Sequence, residues 1–191
     1  MWYEKKIVLK FDNDQEQFPI EVLNMWDITD LEIIGGNFSY FPEDISILKD
    51  LRRLTIVSTK ISSIPKEIFE LPNLTYLNLK NNRISELPFL LTKTNLTTLI
   101  LGRNYLTTIE KILPYLPKLQ TLDLNSNLIG EIPEELALLD NLQRLNMDAN
   151  KLKTIPKTLK EMSSLTHLSL EKNPFPADEK ERIERLMGIK F

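Results

Sequence analysis

The chain contains one histidine, His167, and no cysteine, which narrows its chemistry before any fold is considered. Thiolate nucleophiles, disulfides and sulfur-ligated metals are excluded. Ser169 follows two residues after His167, and Arg144 and Asp148 precede it by about one repeat of the pattern described below. A Ser-His-Asp arrangement can be drawn from these residues. However, an arginine beside the imidazole opposes the cation such a mechanism must form, and an open surface offers no oxyanion donors. A solvated histidine is the stronger reading, and the chain is expected not to be an enzyme. A second group, Asp123, Asn125, Asn146, Asp148 and Glu171, supplies oxygen ligands of the kind calcium prefers. Calcium needs about six or more converging oxygens, whereas side chains of neighbouring strands diverge at about 5–7 Å. A hydrated polar surface is therefore expected, with no metal and no cofactor.

These residues are positioned by a repeat. Ile28, Leu51, Leu74, Leu96, Leu119, Leu142 and Leu165 begin copies of one pattern, spaced by 23 residues except for one interval of 22. Within each copy runs Leu-x-x-Leu-x-Leu-x-x-Asn-x-Leu, as in Leu96, Leu99, Leu101, Asn104 and Leu106, or Leu119, Leu122, Leu124, Asn127 and Ile129. Leu-x-Leu has period two, so both leucines of a short strand face inward and the residues around them face out. Strands of successive coils then stack at about 4.8 Å into one parallel sheet. The returning segment carries Phe41-Pro42, Ile64-Pro65, Leu87-Pro88, Ile132-Pro133 and Ile155-Pro156. Proline fixes its own φ and suits the first position of a helical turn, and apolar residues follow three and six places later on one helical face.

The pattern resembles the leucine-rich-repeat family over residues 28–176. The resemblance implies an α/β solenoid: a curved parallel sheet on the concave side, with short helical or extended segments on the convex side. It also implies that the recurring asparagine bonds backbone groups of the turn and that stacked copies form a ladder. Gly36 and Thr59 replace that asparagine in the first two repeats, so altered turns are expected there. The fourth repeat has Glu110 in place of the proline, with Pro114 and Pro117 later, and the third is one residue short near Phe89-Leu90-Leu91. The convex segment of the fourth repeat is expected to deviate.

The ends of a solenoid expose core leucines unless covered. Residues 1–27 are expected to form an N-terminal cap, with Ile7, Leu9 and Phe11 alternating as a strand and Phe18-Pro19 opening a partial repeat. Residues 177–191 read as a C-terminal helical cap, with Ile183, Leu186 and Met187 as the apolar stripe, Asp178 capping its start and Gly188 stopping it.

Composition closes off other classes. Apolar residues make up 42% of the 191-residue chain and charged residues 27%, which suits one folded domain or repeat array. A net charge of −3 leaves no overall basic footprint for nucleic acid. No run approaches the ~18 apolar residues of a membrane span, and the apolar stretch at residues 7–9 is too short for a signal peptide. A soluble, monomeric protein is expected, either cytoplasmic or secreted by a bacterium from a longer precursor. Three glycosylation sequons begin at Asn37, Asn73 and Asn95. In the last two the central leucine is the repeat's own, so the motif arises incidentally.

Numbering each copy from its first leucine, positions 3, 5, 7, 8 and 10 lie outward from or beside the strand. In leucine-rich-repeat proteins this concave side is the usual partner surface. Here it presents Arg53, Tyr76 and Arg144 at position 3, Ile100 at position 5, Arg103 at position 8, and Tyr105 and Leu128 at position 10. Tyrosine and arginine dominate binding energy at interfaces, and a solvated sheet has no stability reason to gather them with isoleucine and leucine. The expectation is a non-enzymatic scaffold binding a protein through these residues. The alternative is a surface adhesion component for extracellular matrix or glycans. Cysteine-free ends and the Ile-Pro segments resemble intracellular or bacterial members of the family, the bacterial ones above all.

Overall fold

The computed structural model describes residues 5–190. Residues 1–4, the start of the expected cap and of the stretch read against a signal peptide, and Phe191 at the end of the C-terminal cap lie outside the described residues. Eight parallel strands stack in sequence order into one open sheet. β1 (Lys6–Phe11), β2 (Asp30–Gly35) and β3 (Arg53–Val57) are the longest; β4 (Tyr76–Asn78), β5 (Thr98–Ile100), β6 (Thr121–Asp123), β7 (Arg144–Asn146) and β8 (His167–Ser169) have three residues each. Register follows the repeat without slippage: Arg53, Tyr76, Thr98, Thr121, Arg144 and His167 form one row across the sheet.

The core is a column of leucine and isoleucine between this sheet and the returning segments. Leu77, Leu99, Leu122 and Leu145 occupy equivalent places at 0–2% exposure. Position 11 of each copy closes the column from the turn side, with Ile61, Ile84, Leu106, Ile129 and Leu152 fully buried. Each of these residues meets its counterparts one coil away, so burial propagates along the stack.

Convex segments are short 3-10 helices, and most start immediately after the expected proline, for example Glu134–Leu138 after Pro133 and Lys157–Glu161 after Pro156. The deviation expected in the fourth repeat occurs, and the short third repeat deviates as well. In the fourth repeat the helix Glu110–Tyr115 begins after Ile109, whose φ of −128° no proline sets, and contains Pro114. In the third repeat residues 85–97 contain no helix. The missing residue turns Leu90 inward at 2% exposure and leaves Phe89 and Leu91 at 64% and 68%.

The altered turns of the first two repeats are ordered in different ways. Gly35 and Gly36 have φ of +81° and +94°. A Cβ on Gly36 would stand 2.7 Å from the ring of Phe38, which fills the turn at 0% exposure. Glycine here makes room for the large aromatic that replaces the usual isoleucine or leucine. Thr59 keeps the ladder running: its hydroxyl donates to Asn82 Oδ1 at 2.5 Å.

At the C-terminal end, α1 (Ala177–Met187) packs Ile183 into the core, with Leu186 and Met187 partly buried. Gly188 stops it in the left-handed region, donating its N–H to Glu184 O at 2.9 Å. The expected cap at Asp178 is corrected. Pro176 occupies the N-cap and no side chain bonds the helix start; Asp178 lies in the first turn, where its charge still favours the helix dipole.

Candidate partner-binding surface

The strand-to-turn junction is set by position 9. Asn104 Nδ2 donates to Leu79 O of the preceding coil at 3.0 Å and to Leu101 O of its own coil at 2.9 Å. Its Oδ1 accepts the Ile84 N–H at 3.0 Å. Asn82, Asn127, Asn150 and Asn173 repeat this double donation. All five are buried, so each satisfies carbonyls that water cannot reach. Fixing that junction puts position 8 of every copy at positive φ: Ser58, Asn81, Arg103, Ser126, Ala149 and Lys172 lie between +53° and +60°.

Two further ladders carry no signal in the leucine pattern. On the edge where the chain enters the strands, the side-chain nitrogens of Asn73, Asn95 and Asn141 donate to Lys49 O, Pro72 O and Pro117 O, each one coil back. The hydroxyls of Thr75, Thr97 and Thr166 likewise donate to Arg52 O, Thr75 O and Gln143 O. Both sets recur near the 23-residue period and were discoverable on that ground. Asn73 and Asn95 are also two of the three sequon asparagines, so their amide nitrogens already serve the stack.

The candidate residues divide between two surfaces. Arg53, Tyr76, Ile100 and Arg144 stand on the sheet itself. Arg53 places its guanidinium carbon 3.8 Å from the Tyr76 ring centroid and its Nε 3.3 Å from Asp30 Oδ1. Cation–π contact and ion pair together hold the arginine flat against the sheet, although at this exposure each is worth only fractions of a kcal/mol to about 1 kcal/mol. Tyr76 and Ile100 are half-buried by their strand neighbours. Arg103, Tyr105 and Leu128 belong instead to the turn edge, past the strands, where their backbone N–H groups still donate to neighbouring coils. Tyr105 is 52% exposed and Leu128 43%; Arg103 is exposed too.

Neither chemical cluster is assembled for catalysis or chelation. Ser169 Oγ donates to Asp148 Oδ1 at 2.7 Å, and His167 Nδ1 faces Thr166 Oγ1 at 2.9 Å. The serine is thus bonded to the carboxylate, while the imidazole meets the neighbouring threonine. Asp148 Oδ1 also accepts the Glu171 N–H at 2.7 Å. Asp123 Oδ1 accepts both the backbone N–H and the amide of Asn125, and Asn146 Oδ1 accepts the Asp148 N–H. Asp123 and Asn146 thus close the ends of their own strands, while Asp148 ties its coil to the next. Among the described residues no group of three or more histidines and carboxylates is placed to hold a metal ion. The sheet forms a shallow hollow of 560 Å³ around Thr121, Asp123, Arg144, Asn146, His167 and Ser169. No helix of the described residues is long and apolar enough to cross a membrane.

Known proteins agree with this architecture. No curated protein sequence matches the chain. Among solved structures it is similar to a leucine-rich-repeat protein of Leptospira interrogans, at 26% identity and a TM-score of 0.54, covering 98% of this chain and 59% of that one. An internalin, InlF, of Listeria monocytogenes aligns at 23% identity and a TM-score of 0.58 over 86% of this chain and 54% of that one. Toll-like receptor 13, solved in complex with a single-stranded RNA, aligns at 24% identity and a TM-score of 0.74 over 93% of this chain and 25% of the receptor. The chain thus spans between a quarter and about three-fifths of these proteins. The family model for the leucine-rich repeat matches residues 49–89, 94–152 and 117–175, well over half of the sequence, and the chain belongs to the leucine-rich-repeat family.

Proposed function

We propose that the protein is a non-enzymatic scaffold that binds another protein on the concave side of its solenoid. Arg53, Tyr76, Ile100 and Arg144 form the sheet portion of the site, and Arg103, Tyr105 and Leu128 its turn-edge portion. The observation that carries this reading is the pairing of Tyr76 under Arg53 beside Ile100 on an open sheet. An aromatic ring, an aliphatic side chain and a pre-oriented guanidinium lie on adjacent strands about 4.8 Å apart. Such groups lose little conformational freedom on binding and supply the anchors that dominate interface energy.

The test starts with affinity capture of a partner by the full chain, followed by titration of variants. Tyr105→Ala or Arg103→Ala should weaken binding at least ~30-fold, with little change in melting temperature because neither side chain enters the core. Lys157→Ala on the convex side should leave binding unchanged. The concave site is wrong if convex substitutions abolish binding while changes at Tyr76, Ile100, Arg103 and Tyr105 leave it intact.

A further inference from the structure

The net charge of −3 conceals a sharp separation of sign. Positions 8, 10 and 12 of the seven copies form three parallel rows along the edge where the strands turn away from the sheet. These rows hold six cations, Lys60, Arg83, Arg103, Lys151, Lys153 and Lys172, and no aspartate or glutamate. Among the described residues none of the six forms an ion pair with a carboxylate, and all but Lys60, which is half-buried, are exposed. Tyr105 and Leu128 stand between the cations in the middle row, at 52% and 43% exposure. Acids flank the ridge instead: Glu86 and Glu131 at position 13 on the convex side, Asp148 and Glu171 at position 7 on the sheet side.

We infer that this turn ridge is a docking track for an extended acidic polypeptide segment. The coils advance about 4.8 Å per step. Acidic side chains on one face of an extended peptide recur every ~6.6–6.8 Å, so a segment running along the ridge meets cations from successive coils. Complementary charge of this kind raises the encounter rate and fixes orientation. Tyr105 and Leu128 add an apolar contact that suits a peptide carrying an aliphatic or aromatic side chain among its acids. Glu86 and Glu131 on one side and Asp148 and Glu171 on the other interrupt the positive potential beside the ridge and oppose a long polyanion, which favours a short acidic segment over nucleic acid. This inference rests on the protein-binding reading and deepens its turn-edge portion; Lys60, Arg83, Lys151, Lys153 and Lys172 belong to the ridge alone.

The experiment is a fluorescence-anisotropy titration of the full chain with a fluorescein-labelled dodecapeptide alternating glutamate and serine around one central leucine. Saturable binding is expected at about 50 mM salt, weakening at least about tenfold by about 300 mM. Lys60→Glu combined with Arg83→Glu should weaken it at least about tenfold with an unchanged thermal melt, since among the described residues neither side chain is hydrogen-bonded. Lys157→Glu with Lys160→Glu, the same charge reversal on the convex side, should leave it within about twofold. The proposal is overturned if the wild type shows no saturable binding at low salt, or if the Lys157/Lys160 pair matters as much as the Lys60/Arg83 pair. Tighter binding of a twelve-nucleotide oligothymidylate than of the peptide also overturns it, by assigning the ridge to nucleic acid. Loss confined to Tyr76→Ala and Ile100→Ala sinks the ridge and leaves the sheet site standing.

Discussion

Asn104 shows how one side chain can organise a turn: it has two donors and an acceptor, and all are used on backbone groups of adjacent coils. Replacing it with alanine strands the buried Ile84 N–H and takes one of two amide donors from each of the Leu79 and Leu101 carbonyls, which keep Asn82 and Asn127. Asn104→Ala should therefore lower stability by roughly 1–3 kcal/mol in urea melts. Asn37→Ala, one place off the ladder and without a side-chain hydrogen bond among the described residues, should cost less than about 0.5 kcal/mol; equal losses would place the ladder in the wrong register. Ala149 raises the opposite case. At φ of +53° it occupies the left-handed region with no polar side chain to compensate, at a cost of roughly 1–2 kcal/mol for an L-residue. Glycine there relieves that strain and gives back about 0.5–1 kcal/mol in chain entropy. Ala149→Gly should thus raise the urea midpoint slightly, whereas Ala137→Gly in a convex helix should lower it. A drop at both positions would mean that the turn does not hold Ala149 in the left-handed well.

Among elements, α1 is the piece whose attachment can be switched. Glu179 Oε1 accepts the Ile155 N–H at 3.1 Å and the Thr154 hydroxyl at 2.9 Å, while Arg182 grips both oxygens of Glu179 and donates to Ile155 O at 2.6 Å. The helix thereby bonds the returning segment of the sixth coil, one coil before the β8 strand that leads into it. The Arg182 guanidinium, and then the threonine hydroxyl and backbone N–H, hold the Glu179 carboxyl at about 2, below its ordinary 4.5. Because the folded value is the lower one, the unfolded chain binds the extra proton, and the contribution is present above pH 4.5 and lost as pH falls toward 2. Melting temperatures of wild type and Glu179→Gln should accordingly differ at pH 7 and converge in acid. A constant gap across that range would show that the latch is not held by the ionised carboxylate. Ile183→Ala, emptying a site at 0% exposure, should cost about 2–5 kcal/mol at any pH.

For the whole molecule, the topology dictates the character of unfolding. Every strand pairs only with its sequence neighbours, so stability is close to a sum of coil terms and nearest-neighbour interfaces. Central coils have two neighbours, whereas β1 and β8 each pair with a strand on one side alone. Native-state hydrogen exchange should be slowest in β4, β5 and β6 and fastest in β1 and β8, with Leu122→Ala costing about 2–5 kcal/mol. Uniform protection from β1 to β8 would indicate a single cooperative block instead.

Period, strand register, inward leucines and the asparagine ladder were legible in the amino-acid sequence because each repeats at a fixed interval and each has a local cause. Period-two alternation alone decides which face Leu122 takes, and Glu110 in place of the proline announced the irregular convex segment of the fourth repeat. The outcomes that depend on contacts between coils were not legible in the same way. Asp178 had the right residue type for a cap, but the N-cap falls two residues earlier, at Pro176, and Asp178 lies inside the first turn. Ser169, His167 and Asp148 were correctly expected on one face, yet only the stacked strands decided that the serine bonds the aspartate and the histidine bonds Thr166. The seven candidate residues fall on two surfaces for a related reason. The ladder asparagine forces position 8 into the left-handed region, and that turn carries Arg103, Tyr105 and Leu128 off the sheet that holds Tyr76 and Ile100.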